Sequence, residues 1–277
     1  MLKKIILSFS FIFIFSSCAI YQAKRVPTNN LSNVLKNKDL SKSKQNVLFL
    51  GDSITHGRVS YDFVDSLSKN QTLSKYNFIN EGINSRLSNQ ILEQLDNTIA
   101  LNPEFVFILI GTNDLKATLS ENEYNRYKSL WNLTEPVSLE SYSNHLTKII
   151  QTIKKNTKAK IVVFSLPLLG EDKNSEPLKR SQLFSNRVKE IANSEKVIYK
   201  PLNEMMVQEF DKSGKPNGKT YTQSTANMYL TILKYFSTTY SWNQLGESNG
   251  YYLLTDGIHL NERSGMLLES LILSELK

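Results

Sequence analysis

The stretch "NVLFLGDSITHG", residues 46–57, decides how the rest of the chain is read. Val47, Leu48, Phe49 and Leu50 form an unbroken apolar run, the pattern of a strand buried on both faces. The run stops at Gly51, Asp52 and Ser53, so a buried strand delivers one small hydroxyl residue to its edge. Gly51 permits a tight exit there because no Cβ obstructs the turn.

Working outward, the same pattern recurs. "YNFI" (76–79), "FVFILI" (105–110), "KIVVFSL" (160–166) and the weaker "VIYK" (197–200) read as further buried strands. Between them, "SNQILEQLDNTIA" (88–100) and "SLESYSNHLTKIIQTIKK" (138–155) carry helical periodicity. This alternation predicts an α/β fold, a three-layer α/β/α sandwich around a central parallel sheet, with ligands at the carboxyl ends of the strands. Ser53 lies at that end of the first strand. A chain of 277 residues suffices for one large domain, which the pattern places at 46–277.

The N-terminus reads as an address. "MLKK" is basic, "IILSFSFIFIF" is apolar but too short to span a bilayer comfortably, and "SSCA" supplies small residues. Residues 1–17 are therefore expected to be a signal peptide. The only cysteine, Cys18, stands where a bacterial lipoprotein signal, which this segment resembles, carries its lipid; Phe15 departs from the usual aliphatic residue. The expected location is the bacterial cell envelope, with Cys18 as the membrane anchor. Cleavage after Ala19, giving a secreted form, is the alternative. One cysteine allows no disulfide within the chain. Residues 18–45, rich in Lys, Asn and Ser with little apolar periodicity, read as a polar basic linker.

The formal charge of +7 raises the question of a nucleic-acid partner, and its location answers it. Residues 1–44 hold eight of the 33 Lys and Arg but one of the 26 Asp and Glu, leaving 25 of each sign beyond them. The folded part is neutral overall, which removes the electrostatic case for nucleic-acid binding.

A serine hydroxyl is a poor nucleophile until a base takes its proton. The chain has three histidines. His56, three residues after Ser53, reads as a loop or helix-start residue, and His145 as a surface or packed position in a helix. His259 lies in "LLTDGIHLNERSG" with Asp256 three residues before it. That spacing lets one short loop supply both a base and the carboxylate that fixes its tautomer, although such a turn can equally cap the final helix. A rival signal, "GESNG" at 246–250, fits the G-x-S-x-G elbow, but it lacks the strand before and the helix after that the elbow needs. Ser248 is therefore expected in a Gly/Asn/Ser loop.

Taken together, "GDSIT" (51–55), Gly82 in "NEGINS", "GTND" (111–114) and "DGIHLN" (256–261) resemble the four motif blocks of the SGNH hydrolases, also called GDSL esterases and lipases, in the family's order. The resemblance implies Ser53 as nucleophile, His259 as general base and acid, and Asp256 as its orienter. It implies an oxyanion hole made of the Ser53 N–H, the Gly82 N–H and the Asn113 side-chain amide. It implies hydrolysis of an oxygen ester through an acyl-serine, with no metal or organic cofactor. A thioesterase or a carbohydrate O-deacetylase is the near alternative, and a lipid-anchored surface binding protein that keeps the fold is the non-enzymatic one. Ser85 stands where the family often has glycine, which bears on the shape of the second loop. Residues 116–138 and 212–250 look like additions that set substrate choice. The second overlaps an aromatic-rich segment, Tyr221 to Tyr252, whose helical face either packs the addition onto the domain or walls an acyl or sugar cleft, with Trp242 as the probe residue.

Overall fold

A computed structural model describes residues 19–38, 40–223 and 225–276 of the chain. The expected signal peptide and Cys18 lie outside the described residues. Within them, five strands form one sheet: β1 (Gln45–Gly51), β2 (Tyr76–Gly82), β3 (Phe105–Leu109), β4 (Lys160–Phe164) and β5 (Ile198–Lys200), in the order β2-β1-β3-β4-β5. Every neighbouring pair is parallel. Gly51 is paired with Gly82 on one side and with Leu109 on the other, so three strands end at one rim. The strand order reverses at β1, and such a reversal opens a crevice beyond the strand ends.

Side chains alternate across a strand, and this divides the apolar residues between two cores of different character. Leu48, Leu50, Ile79, Val106, Ile108, Ile161 and Val163 face one layer of helices. That layer consists of α1 (Leu31–Asn37), α4 (Ser88–Leu92), α5 (Leu95–Leu101), α8 (Leu139–Asn156) and α9 (Glu176–Glu195). Val47, Phe49, Phe78, Phe107 and Phe164 face α3 (Phe63–Lys69), α10 (Leu202–Lys212) and α13 (Glu262–Leu276). On this second side Phe107 stacks on Phe49 at 5.2 Å and on Phe164 at 6.0 Å, while Phe63 meets Phe49 edge-on at 5.6 Å. Truncating Phe107, in the middle of that stack, removes about 3–5 kcal/mol.

The remaining helices lie around the rim: α2 (Ser53–His56), α6 (Thr112–Ala117), α7 (Glu121–Trp131), α11 (Thr225–Ser237) and α12 (Trp242–Ser248). No described helix is long and apolar enough to cross a membrane. The helix expected over 88–100 is two helices, α4 and α5, separated at Glu93 and Gln94, where the Gln94 side chain turns back to accept from the Arg86 guanidinium.

The linker expected over 18–45 is corrected. Residues 19–24 are helical and α1 follows, and both dock on the domain. Ala19 and Ala23 pack with Val59 and Ile232, and Leu31 and Val34 enter the aliphatic core. Polar bonds complete the attachment: Leu31 N–H donates to Glu81 Oε2 at 2.9 Å, Asn29 Nδ2 to the Phe78 carbonyl at 2.8 Å, and Asn84 Nδ2 to the Ala23 carbonyl at 3.0 Å. Attachment through so few apolar residues leaves no periodicity to read. The segment's lysines stay exposed, as a solvated charge should.

Candidate active site

The carboxyl ends of β1, β2 and β3, with the loop before α13, converge on one cleft of about 560 Å³. Asp52 caps the turn that leaves β1, its Oδ1 accepting from the Ile54 N–H at 3.0 Å, and Ser53 thereby opens the short helix α2. A side chain at Gly51 would collide with Thr55 and the Leu109 carbonyl, so the strand exit requires glycine.

The structure brings Ser53, His259 and Asp256 into one hydrogen-bonded chain. His259 Nε2 lies 2.9 Å from Ser53 Oγ, and His259 Nδ1 lies 2.8 Å from Asp256 Oδ2. Asp256 Oδ1 also accepts from the N–H groups of Ile258 and His259, each at 3.0 Å, which fixes the carboxylate against the turn. Burial alone would raise the Asp256 carboxyl, but the His259 ring and these N–H donors outweigh it and hold the pKa below its ordinary value. Asp256 therefore stays ionised beside the imidazole, and this sets Nδ1 as the protonated nitrogen and Nε2 as the base facing Ser53.

The other two histidines are occupied elsewhere. Buried His56 is hydrogen-bonded through Nε2 to the Arg25 carbonyl at 3.0 Å, and burial lowers its pKa from 6.5 to about 4. His145 Nδ1 meets Ser88 Oγ at 3.1 Å, between two helices that flank the sheet. Ser248 ends helix α12, its hydroxyl donating to the Leu245 carbonyl at 2.9 Å. It lies in a helix and not in the expected loop, because the capping box of Ser241 and Gln244 starts a helix that the Gly-rich composition concealed.

Asn113 stands where the motif places it, on α6 beside Ser53. Its orientation comes from residues that carry no motif. Tyr127 Oη donates to Asn113 Oδ1 at 2.6 Å, and Asn113 Nδ2 donates to the Arg86 carbonyl at 3.0 Å. Its second amide proton has only a 3.5 Å contact with Asp52 Oδ2, at the limit of a hydrogen bond, and remains available to a ligand. Burial raises the Asp52 carboxyl to about 6.

The Gly82 assignment is corrected. Its N–H donates to Asn80 Oδ1 at 3.0 Å, and Gly82 does not line the cleft. The glycine is required for packing, because a Cβ there would strike the backbone of Thr55 and His56. The loop presents Ser85 to the cleft instead, at φ 61°, in the left-handed region that explains the family's glycine there. Among the described residues, the N–H groups of Ser53 and Ser85 have no acceptor. Two residues hold the loop: Trp131 Nε1 donates to the Ser85 carbonyl at 2.8 Å, and buried Arg86 donates to the Glu81 carbonyl at 2.9 Å. Tyr127 and Trp131 sit four apart on α7, and this spacing within "ENEYNRYKSLW" was the signal available in the sequence.

The cleft walls come from the two segments expected to be additions and from the N-terminal helical turn. Glu123, Arg126 and Leu130 line one side, Tyr221, Met228, Tyr229 and Ile232 another, and Ile20, Ala23 and Lys24 a third. Trp242 does not reach the cleft; it is buried and stacked on Tyr235 at 3.6 Å. Within the aromatic segment, Tyr235 and Trp242 pack against each other while Tyr221 and Tyr229 line the cleft, so the two readings given as alternatives apply to different residues.

Solved structures that share this architecture include an acetylxylan esterase from Geobacillus stearothermophilus, at 17% identity and TM-score 0.53, matching 85% of this chain and 96% of that one. The acetyl xylan esterase AlAXEase matches at 16% identity and TM-score 0.55, over 84% of this chain and 100% of that one. A lipase/acylhydrolase from Enterococcus faecalis matches at 16% identity and TM-score 0.53, over 84% and 95%. At these identities the likeness is one of fold. No curated protein sequence matches the chain significantly. The model of the GDSL-like lipase/acylhydrolase family matches residues 49–221, which include Ser53, Ser85 and Asn113 and make up more than half of the chain. The chain belongs to the GDSL-like lipase/acylhydrolase family.

Proposed function

We propose that this chain hydrolyses an oxygen ester through an acyl-serine intermediate at Ser53. The observation that carries the reading is the unbroken line from Ser53 Oγ through His259 to Asp256, opening on a cleft that also holds the Asn113 amide. His259 Nε2 takes the Ser53 proton as Oγ attacks the ester carbonyl. The N–H groups of Ser53 and Ser85 and the Asn113 Nδ2 receive the developing oxyanion, which as neutral donors they stabilise more in the transition state than in the ground state. His259 then returns the proton to the leaving alcohol. A water activated by the same nitrogen releases the acyl group, and Asp256 stabilises the imidazolium in both steps.

Within this reading a carbohydrate O-acetyl ester is favoured over a long-chain lipid ester. The cleft beside Ser53 carries Asn84, Ser129, Thr222 and Gln223, groups suited to sugar hydroxyls, and two of the proteins that share the fold are acetylxylan esterases. Initial rates on acetylated xylooligosaccharide and on p-nitrophenyl octanoate test this. The expected result is a higher kcat/KM on the oligosaccharide; preference for the octanoate overturns it.

We also propose that Cys18 is acylated after signal removal and holds the domain at a membrane of the bacterial envelope. Helical residues 19–24 pack beside the cleft, so an anchor at Cys18 leaves no long spacer between lipid and active site. Fatty-acid labelling that is lost in Cys18→Ser is the expected result, and labelling that persists contradicts the anchor.

A further inference from the structure

Lys116 is an unusual residue to find in the wall of an ester-hydrolysing cleft. It lies three residues after Asn113 on α6, hence on the same helix face, and lines the same cleft as Ser53. Only 6% of it is exposed. Among the described residues no carboxylate lies within 4.0 Å of its ammonium and no atom accepts a hydrogen bond from it; its near neighbours are ring faces, with Nζ 5.5 Å from the Tyr221 centroid and 5.9 Å from that of Tyr127. Burying a charge without a partner is costly, so a buried, unpaired ammonium facing a cleft is the signature of a missing anion.

The other charges in the cleft are committed elsewhere. Glu123 accepts from Tyr221 Oη at 2.7 Å and from Arg126 Nε at 3.2 Å, which spends the Arg126 charge. Asp256 is engaged by His259, and exposed Lys24 adds the same sign as Lys116 at the rim. Burial, with the nearby Arg126 charge, lowers the Lys116 ammonium to about 8 against the pull of Glu123, Asp256 and Asp52, so it is still largely protonated at neutral pH.

We propose that Lys116 binds a carboxylate carried by the alcohol part of the substrate, so that the preferred substrate is an acyl ester of an acidic sugar. A single buried ammonium suits a singly charged group, and the alcohol part is what must fill about 560 Å³ when the acyl group is as small as acetyl. This inference rests on the ester-hydrolase reading of the site, and its test is kept separate from turnover.

The Ser53→Ala protein is titrated by calorimetry with an O-acetylated methyl glucuronide, with the matching O-acetylated methyl glucoside, and with an O-acetylated glycerol phosphodiester. Ser53→Ala is expected to bind the glucuronide about tenfold more tightly than the glucoside, the scale of one charge-assisted hydrogen bond. Adding Lys116→Met is expected to bring that ratio to about one, and Lys116→Arg to retain it. A ratio near one in Ser53→Ala, or a ratio that survives Lys116→Met, overturns the proposal and leaves Lys116 as a charge balancing the site carboxylates. Tighter binding of the phosphodiester than of the glucuronide overturns the carboxylate assignment. If the ratio behaves as expected while the wild-type protein turns over neither sugar ester nor p-nitrophenyl acetate, the anion site stands and the ester-hydrolase reading falls.

Discussion

The rim of the sheet and the walls above it are built by different rules. At the rim, Ser53, Asn113 and the loop at Ser85 follow directly from the ends of β1, β3 and β2, and their positions are set by strand register and short turns. The walls come from helical residues 19–24, from α7 and from α11, none of which belongs to the sheet. In the proposed reaction the rim carries the groups that take part in bond making, whereas the walls carry the groups that decide what is held there. The two regions meet at α7, where Tyr127 and Trp131 face the rim while Glu123, Arg126 and Leu130 face the cleft. A wall segment therefore also holds Asn113 and the Ser85 loop in place, so in the proposed reaction substitutions in α7 should affect both substrate choice and rate.

Substitutions at the rim should act on kcat by orders of magnitude. His259→Ala is expected to lower kcat by on the order of 10⁴-fold or more on any ester, since among the described residues no other base is hydrogen-bonded to Ser53 Oγ. A loss under tenfold in steady-state assays would contradict the assignment of the base. Asn113→Ala should lower kcat by roughly 10²- to 10³-fold with little change in KM. Tyr127→Phe, which frees the Asn113 amide to turn, should cost about tenfold in kcat, and nothing further in the Asn113→Ala background. Additive losses in that double-mutant cycle would mean that Tyr127 acts on something other than Asn113.

Wall substitutions should change ratios between substrates more than rates. Met228→Ala is expected to alter the butanoate-to-acetate ratio of kcat/KM by about threefold, the scale of one buried methylene, while Trp242→Ala leaves that ratio in place. Equal ratios in wild type and Met228→Ala would assign the α11 face to packing alone.

The third wall has its own pH dependence. His56 is held neutral in the folded chain, with its pKa lowered from 6.5 to about 4, and its ring bonds the carbonyl of Arg25. Its contribution is present above 6.5 and is lost as pH falls from there through about 4, because the buried ring must then take up a proton. The protection factors of residues 19–25, which divide out the intrinsic pH dependence of amide exchange, should fall over that window, and His56→Gln should remove that fall. Burial of Asp52 works in the opposite sense, favouring the fold as pH falls through about 6, so the local readout on residues 19–25 is the one that isolates His56.

The difference between the regions also explains what could be read in advance. The strands were legible because parallel strands buried on both faces are continuous apolar runs, and Ser53, Asn113, Asp256 and His259 were legible because short motifs fix them at strand ends and in one turn. Gly82 misled because glycine serves two purposes: here it admits the Thr55–His56 backbone, while the residue that lines the cleft is Ser85, the proposed donor, whose left-handed backbone no side-chain identity announces. The docking of residues 19–38 was hidden because it rests on a few apolar contacts and on bonds from Asn29, Leu31 and His56 to groups far away in sequence. Tyr127 and Lys116 carried no motif; only the packing of α7 against α6 gives them meaning.

The central claim is that Ser53, and no other serine, is the nucleophile. Covalent labelling with a fluorophosphonate, mapped by mass spectrometry on wild type, Ser53→Ala and Ser248→Ala, tests it most directly. The account predicts one label on Ser53 in wild type and in Ser248→Ala, with ester hydrolysis lost in step with labelling, and no label on Ser53→Ala. A label on Ser248, or labelling and hydrolysis that persist in Ser53→Ala, would contradict it.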